Sequence, residues 1–527
     1  MSANQSTRFI RRVTDSCCSE DRIGTVCGQE YLHGYLQQEA RISLSSFRSL
    51  GKDLISYGIM GALSRSTSLL LLPILTRQFS PDEYGAIDII ATLTALLSIC
   101  MALSLESAVA RLWFESKEIG EQKRLVSSVF AFILIFGTVV LSLFIYHASS
   151  IADLLFGDQQ FDCYIVLGAL TALLNALSSI PLIVLRMERK IVRYSLISLV
   201  QSAVYVLIAL LLIFRYDSGL LGVFAANALA STLALGLGLS LILAHLGHSL
   251  SFSWLVSGFR FSLPMFPAVF VTWLNNQADR VIVLLFLGLG AVGLFGAAAK
   301  IALIVGLMAS IFQQAWTPLA IERIADETGR NEFYRRALNY YAGTMTVLAL
   351  FLAAYSSELM LLLAPAEYQA AYVVIPWLIG ARILSGSGSI TNLGMLISKR
   401  TVGNSIAAWI GAFANIAIAV VLIPLIGIWG VAIGAFVASL IFTSLLCFFT
   451  IRVTDVEFDL GKVFSILLCY VLSCTAFVVV TELVTNSPQS LGIRTTLLAI
   501  AVATILSLTI DGSALRAIRS TVNLKRS

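Results

Sequence analysis

Four basic residues stand inside long apolar stretches of this sequence, Arg65, Arg280, Lys300 and Arg382, against only two acids in comparable positions, Asp88 and Asp279. A charge at such depth costs several kcal/mol and marks a functional site by default. Asn275, Asn276, Asp279 and Arg280 cover an arc of about 140° at 100° per residue, one stripe of a helix. Arg382 is followed by Ser385, Gly386, Ser389 and Asn392, again one stripe, and Arg65 shares its face with Gly58, Gly61 and Ser68. Asn175 and Gln201 add neutral amides elsewhere. Two readings stand. Asp279 can pair with a basic neighbour while the amides act as interhelical glue. Alternatively, Arg65, Arg280, Lys300, Arg382, Asn275 and Asn276 converge on one cationic cavity between two bundles. Such a cavity would accept an anionic substrate group, for which the arginine fork suits phosphate. Asp88 and Asp279 would then supply charge balance or ion coupling, with Glu106 a third acidic candidate.

The elements that carry these residues follow from composition. The chain has 527 residues, 58% hydrophobic and 12% charged, with a mean hydropathy of +0.88, where soluble domains carry about 25% charged residues. Its apolar blocks are continuous (Leu69-Leu70-Leu71-Leu72, Val283-Leu284-Leu285-Phe286), which indicates spanning helices and not barrel strands. The pattern predicts an all-α integral membrane protein with about fourteen transmembrane helices. Its organisation is a tail over 1–53, a six-helix bundle over 54–244, a second over 263–451, two extra helices over 463–511 and a tail over 512–527. Pro264 and Pro267 fall where they can kink the seventh helix.

Placing both tails on one side gives that side 28 of the 35 basic residues and leaves the other only Arg77, Arg215 and Arg494. The positive-inside rule then makes both termini cytoplasmic. The first 50 residues hold no apolar run, so no cleavable signal peptide is expected. Eight cysteines, mostly within helices or the N-terminal tail, read as small hydrophobes and not as a disulfide framework or zinc site. No Walker A motif is present, the four histidines show no catalytic arrangement, and no large loop is available to hold an active site. A transporter is expected, without enzymatic activity, cofactor or nucleic-acid partner.

A repeat organises the chain. Two basic residues followed by x-Val-x-x-Ser occur at Arg189–Ser195 and again at Lys399–Ser405. Gly219-x-x-Gly222-Val223 with Ala230-Ser231 is matched by Gly427-x-x-Gly430-Val431 with Ala438-Ser439, and Tyr84-Gly85-Ala86 by Phe295-Gly296-Ala297. Six helices per unit bring both halves into the membrane with the same orientation, related by an axis along its normal, a usual frame for alternating access.

The stretch from Leu72 to Gly85 (Leu-Pro-Ile-Leu-Thr-Arg-Gln-Phe-Ser-Pro-Asp-Glu-Tyr-Gly) resembles the first hairpin of bacterial polysaccharide flippases. Trp273-Leu274-Asn275-Asn276-Gln277-Ala278-Asp279-Arg280 and Phe312-Gln313-Gln314-Ala315-Trp316-Thr317-Pro318 are similar to the seventh and eighth helices of the same family. These are the Wzx-type O-antigen and exopolysaccharide translocases of the multidrug/oligosaccharidyl-lipid/polysaccharide exporter superfamily. The resemblance covers roughly residues 50–510; the N-terminal tail departs from the family pattern. It implies flipping of an undecaprenyl-diphosphate-linked oligosaccharide across the bacterial inner membrane by ion-coupled alternating access. It also implies membrane lipid as surroundings, and polysaccharide polymerase and assembly proteins as partners. The competing reading is another secondary transporter of the superfamily, such as a small-molecule or drug exporter. That exporter should line its cavity with acids, whereas this one reads as net cationic. A major-facilitator transporter would carry a Gly-x-x-x-Asp loop where this chain reads Ala110-Arg111-Leu112-Trp113-Phe114-Glu115-Ser116-Lys117.

Overall fold

The computed structural model describes residues 67, 69–116, 118–247, 249–322, 330–392, 395, 402–454, 456, 458–484 and 488–509. All belong to the second of the two units into which the chain divides, Tyr57–Ser527. All regular structure among the described residues is helical. Twelve helices are long and apolar enough to cross a membrane, or thirteen when one bent pair is taken as a single span. The first expected span, 54–76, lies largely outside the described residues, which take up a short apolar helix α1 at Leu69–Gln78.

Helix α2 (Pro81–Ala102) starts where Ser80 and Glu83 form a capping box, Glu83 Oε2 accepting from the Ser80 N–H at 2.9 Å, with proline preset at the first position. It ends abruptly. Leu103 (φ 48°) and Ser104 (φ 58°) are both left-handed, a conformation costing non-glycine residues about 1–2 kcal/mol each. The chain then turns into short α3 (Leu105–Leu112). Helices α4 (Ile119–Tyr146), α5 (Ala148–Phe156), α6 (Asp162–Met187), α7 (Ile191–Tyr216) and α8 (Gly219–Ile242) complete the first half in chain order.

The second half begins with α9 (Phe252–Leu287), 36 residues long and carrying Pro264 and Pro267 within it. It starts eleven residues before the expected span at 263, because an amphipathic turn around Arg260 precedes the apolar stretch. Helix α10 (Leu289–Glu322) follows, then α11 (Arg330–Ala354) and short α12 (Ser356–Leu363). A 3-10 helix at Ala366–Val373 meets α13 (Ile375–Thr391) at a bend of 51°, where Pro376 opens α13 and cannot donate back into the preceding turn. Helices α14 (Val402–Ile426), α15 (Ile428–Val453), α16 (Leu460–Leu483) and α17 (Pro488–Thr509) end the described chain.

The repeat has local structural content. Gly219 and Gly427 both take positive φ, 55° and 61°, at the turns where α8 and α15 begin, a conformation glycine adopts without penalty. More telling is the α2–α10 crossing. Asp82 lies against Gly290, Gly85 against Gly293 and Asp88 against Gly296, each pair 208 residues apart. Contacts at one constant separation are those of two parallel helices packed in register. A Cβ on Gly85 would sit 2.1 Å from the Leu289 carbonyl oxygen, and one on Gly293 2.0 Å from that of Pro81. Only glycine permits this approach, the small-residue packing that joins helices in lipid. Nearby, the Tyr368 hydroxyl donates to Phe79 O at 2.9 Å and Thr76 Oγ1 to Leu363 O at 3.1 Å, adding further links between the two halves.

The last two helices are docked by charge. Arg494 on α17, 4% exposed, gives both guanidinium amines to Glu358 on α12 and a 2.8 Å bond to Ala354 O. The Tyr470 hydroxyl of α16 donates to Pro376 O at 2.5 Å.

Candidate functional site

Asn275, Asn276, Asp279 and Arg280 form the stripe of α9 expected from their spacing, and with Thr272 they line one side of a cavity of about 250 Å³. Arg382 and Ser385 of α13 enter from another side, with Asn415 of α14 and Ser439 of α15 closing it. The lining comes from residues 272–442 alone. Among the described residues this cavity is formed within the second half. Asn275 and Asp279 of α9 face α14 through Ala408 O and Asn415, while Arg280 reaches Asp88 of α2.

Each charge in the site has a distinct environment. Arg280 Nε donates to Asp88 Oδ2 at 2.5 Å, joining α9 to α2, and its Nη1 donates to Asn276 O at 3.0 Å. Both partners are buried, 8% and 6% exposed. Gly296 of α10 makes room for the pair, since a Cβ there would lie 2.7 Å from Asp88 Oδ2. Breaking such a buried pair by removing one member leaves an uncompensated charge in low dielectric. Asp279 is equally buried and accepts from Asn415 Nδ2 at 2.7 Å. Asn275 Nδ2 donates to Val271 O at 2.8 Å and Ala408 O at 3.3 Å, holding α9 to α14.

Arg382 differs from these. It is half-buried, and its Nη1 meets the Asn276 side-chain oxygen at 2.9 Å, a neutral amide where Arg280 has a carboxylate. The charges of Arg280 and Asp279 both act on it. Lys300 does not line the cavity; it lies on α10, four residues beyond Gly296, within the field of Asp88 and Arg280. Arg65 lies outside the described residues. Three cations, Arg280, Lys300 and Arg382, thus share two acids, Asp88 and Asp279, among the described residues around the cavity.

Sequence reasoning missed Asn415, Ser439 and Thr272 as lining groups. An amide in an otherwise apolar span was the available signal for Asn415; Ser439 stood in the repeat; Thr272 gave none.

The fold defines a multi-pass membrane protein built of long apolar helices. Residues 74–373 match the family model described as polysaccharide biosynthesis protein, and the chain belongs to that family. Among solved structures, the lipid II flippase MurJ in an inward closed conformation is similar at a TM-score of 0.67 and 16% identity, covering 86% of this chain and 98% of that one. An inward-facing multidrug resistance MATE family transporter of the MOP superfamily is similar at a TM-score of 0.62 and 15% identity, covering 74% and 95%. At these identities the likeness concerns the fold. No protein of curated function matches the sequence.

Proposed function

We propose that this protein moves a lipid-diphosphate-linked oligosaccharide across the bacterial plasma membrane for surface polysaccharide biosynthesis, by alternating access of its two halves. The observation that carries the reading is Arg382: a partly buried arginine at the cavity wall whose near partner is a neutral amide. Arg280 is engaged by Asp88 and Asp279 by Asn415, so Arg382 is the cation best placed to take up a phosphate oxygen pair, and its planar fork suits that task. Net positive charge around the cavity favours an anionic headgroup over a cationic drug. A space of about 250 Å³ lies below the range of about 300–1,000 Å³ typical of ligand pockets. It therefore serves the charged headgroup, and separation of the halves must supply room for the sugars. On this reading the bundles 54–244 and 263–451 are the moving bodies, 463–511 rides with the second, and the tails 1–53 and 512–527 face the cytoplasm. Asp88 and Asp279 balance charge or take part in ion coupling, and a polymerase and assembly proteins receive the glycan.

The test is export in cells and flipping in proteoliposomes. Arg382→Ala should insert normally yet lower flipping of a diphosphate-linked glycan by about tenfold to a hundredfold, the worth of a charged hydrogen bond. Normal flipping by that variant, or wild-type export of cationic dyes with no effect on glycan, would overturn the proposal.

A further inference from the structure

The junction between α2 and α3 holds polar atoms that the cavity does not use. Ser104 Oγ and Glu106 Oε2 are buried without a hydrogen-bond partner, Ser104 being the second of the two left-handed residues and Glu106 lying two residues on. Helix α3 packs against the N-terminal part of α9, where Gly258 faces Leu105 and Ala108. One turn beyond Gly258 on that face of α9, Ser262 is fully buried and its hydroxyl also lacks a partner. Native interiors satisfy nearly all such groups, so unsatisfied ones gathered at one junction call for a cause. Strained backbone held in place by packing is a common companion of a switch.

Elements packed against α3 bring charged residues to this end of the molecule: Glu121, Lys123 and Arg124 on α4, Arg186 on α6 and Arg260 on α9, with Arg111 on α3 itself paired to exposed Glu115. None of these charges acts on the Glu106 carboxyl; what acts on it is burial, opposed by its own backbone N–H. A partly buried carboxylate with one oxygen enclosed and unpartnered has one simple remedy. It can bind a proton and remain buried as a neutral acid.

We propose that Glu106 is a proton-operated lock on the α2–α3 hinge. A proton taken from solvent onto the carboxylate lets α3 stay docked on α9. Release of that proton back to solvent leaves a charge that draws α3 away, the chain turning at Leu103–Ser104. Because α9 also carries Asn275, Asn276, Asp279 and Arg280, the lock grips the helix that lines the cavity. Burial pushes the Glu106 carboxyl up from its ordinary range, so the docked state holds the proton more tightly than the undocked one. Docking is therefore strengthened as pH falls and lost as pH rises through the docked-state value. One proton gives about tenfold in the docking equilibrium per pH unit between the two values.

The device is independent of cargo, and so is its test. Hydrogen exchange of residues 103–112 is followed by mass spectrometry on the full chain in nanodiscs over a pH series, corrected for intrinsic rates. Protection in the wild type should fall by about tenfold per pH unit through the titration, whereas Glu106→Gln should stay protected throughout. Glu106→Ala, which also lacks the titrating group, carries the comparison should the glutamine variant fail to insert. Identical pH profiles in wild type and variants would overturn the lock, whatever the protein transports.

Discussion

Ser231 and Ser439 stand 208 residues apart at matching places in the repeat, in opposite surroundings. In the first half Ser231 Oγ donates to Asn175 Oδ1 at 3.1 Å, and Gln201 Nε2 donates to both, at 3.2 and 3.3 Å. Three helices, α6, α7 and α8, are tied by one closed polar knot. At the offset of 210 that relates Arg189–Ser195 to Lys399–Ser405, the counterparts of Asn175 and Gln201 are Ser385 and Gly411. Ser385 donates to Ala381 O at 2.8 Å, and Gly411 has no side chain, so Ser439 finds no such knot. Its hydroxyl turns to Ala435 O at 2.8 Å, and the space beside it is the cavity. Of the other polar groups there, Arg382 and Asn415 come from other positions. One copy of the duplicated bundle has spent its polar residues on cohesion, and the other keeps them around an open volume. A buried network is strongest when every member is satisfied, so the first half is suited to move as a body and the second to hold something.

The contrast can be broken first at the joint between the halves. Asp88→Asn strips Arg280 of its counter-charge and should lower stability by about 3–5 kcal/mol, read as a fall in the thermal unfolding midpoint in detergent. Adding Arg280→Gln should recover much of that loss; no recovery would mean the two residues are not coupled. Next, one amide can be removed from each half. Asn415→Leu releases Asp279 and should lower flipping about tenfold, the worth of one charge-assisted bond. Gln201→Leu leaves the Asn175–Ser231 bond in place and should lower stability by about 1 kcal/mol with flipping unchanged. Equal effects on flipping would erase the distinction between a sealed half and an open one. The smallest effect sharpens the role of Arg382. Its replacement by Lys keeps the charge and loses the fork, so flipping should fall only a few-fold, between wild type and the alanine variant.

Much of this was legible beforehand, for identifiable reasons. Blocks such as Val283–Leu287 announce helices because lipid tolerates no unpaired backbone, and charges within such blocks are rare enough that the α9 stripe stood out by itself. The repeat was readable at the turns, where Gly219 and Gly427 both take positive φ; in the crossing the sequence matched Gly85 to Gly296, whereas the structure sets Gly85 against Gly293 and Gly296 against Asp88. Partnership was not readable. Asp88 and Arg280 are 192 residues apart, Asp279 and Asn415 136, and no local pattern distinguishes these pairings from Asp279 joined to its neighbour Arg280. The side of α9 that faces α14 depends on packing across the whole bundle, which no local pattern encodes. Short α3, α5 and α12 escaped notice because eight or nine residues give too little periodicity to separate them from loops.

The glycine crossing of α2 and α10 has a mechanical meaning as well. With backbone against backbone and no clearance at Gly85 and Gly293, the two helices can turn about their contact but cannot slide past it, so it acts as a fulcrum set close to one end of both. In α2, which ends at Ala102, the residues beyond Gly85 form an arm of about 26 Å at 1.5 Å per residue. A rotation of 10° there would sweep the far end through roughly 5 Å, about one turn of helix. A side chain inserted at the fulcrum would shift both arms at once, so the smallest residues in these two helices govern the longest reach.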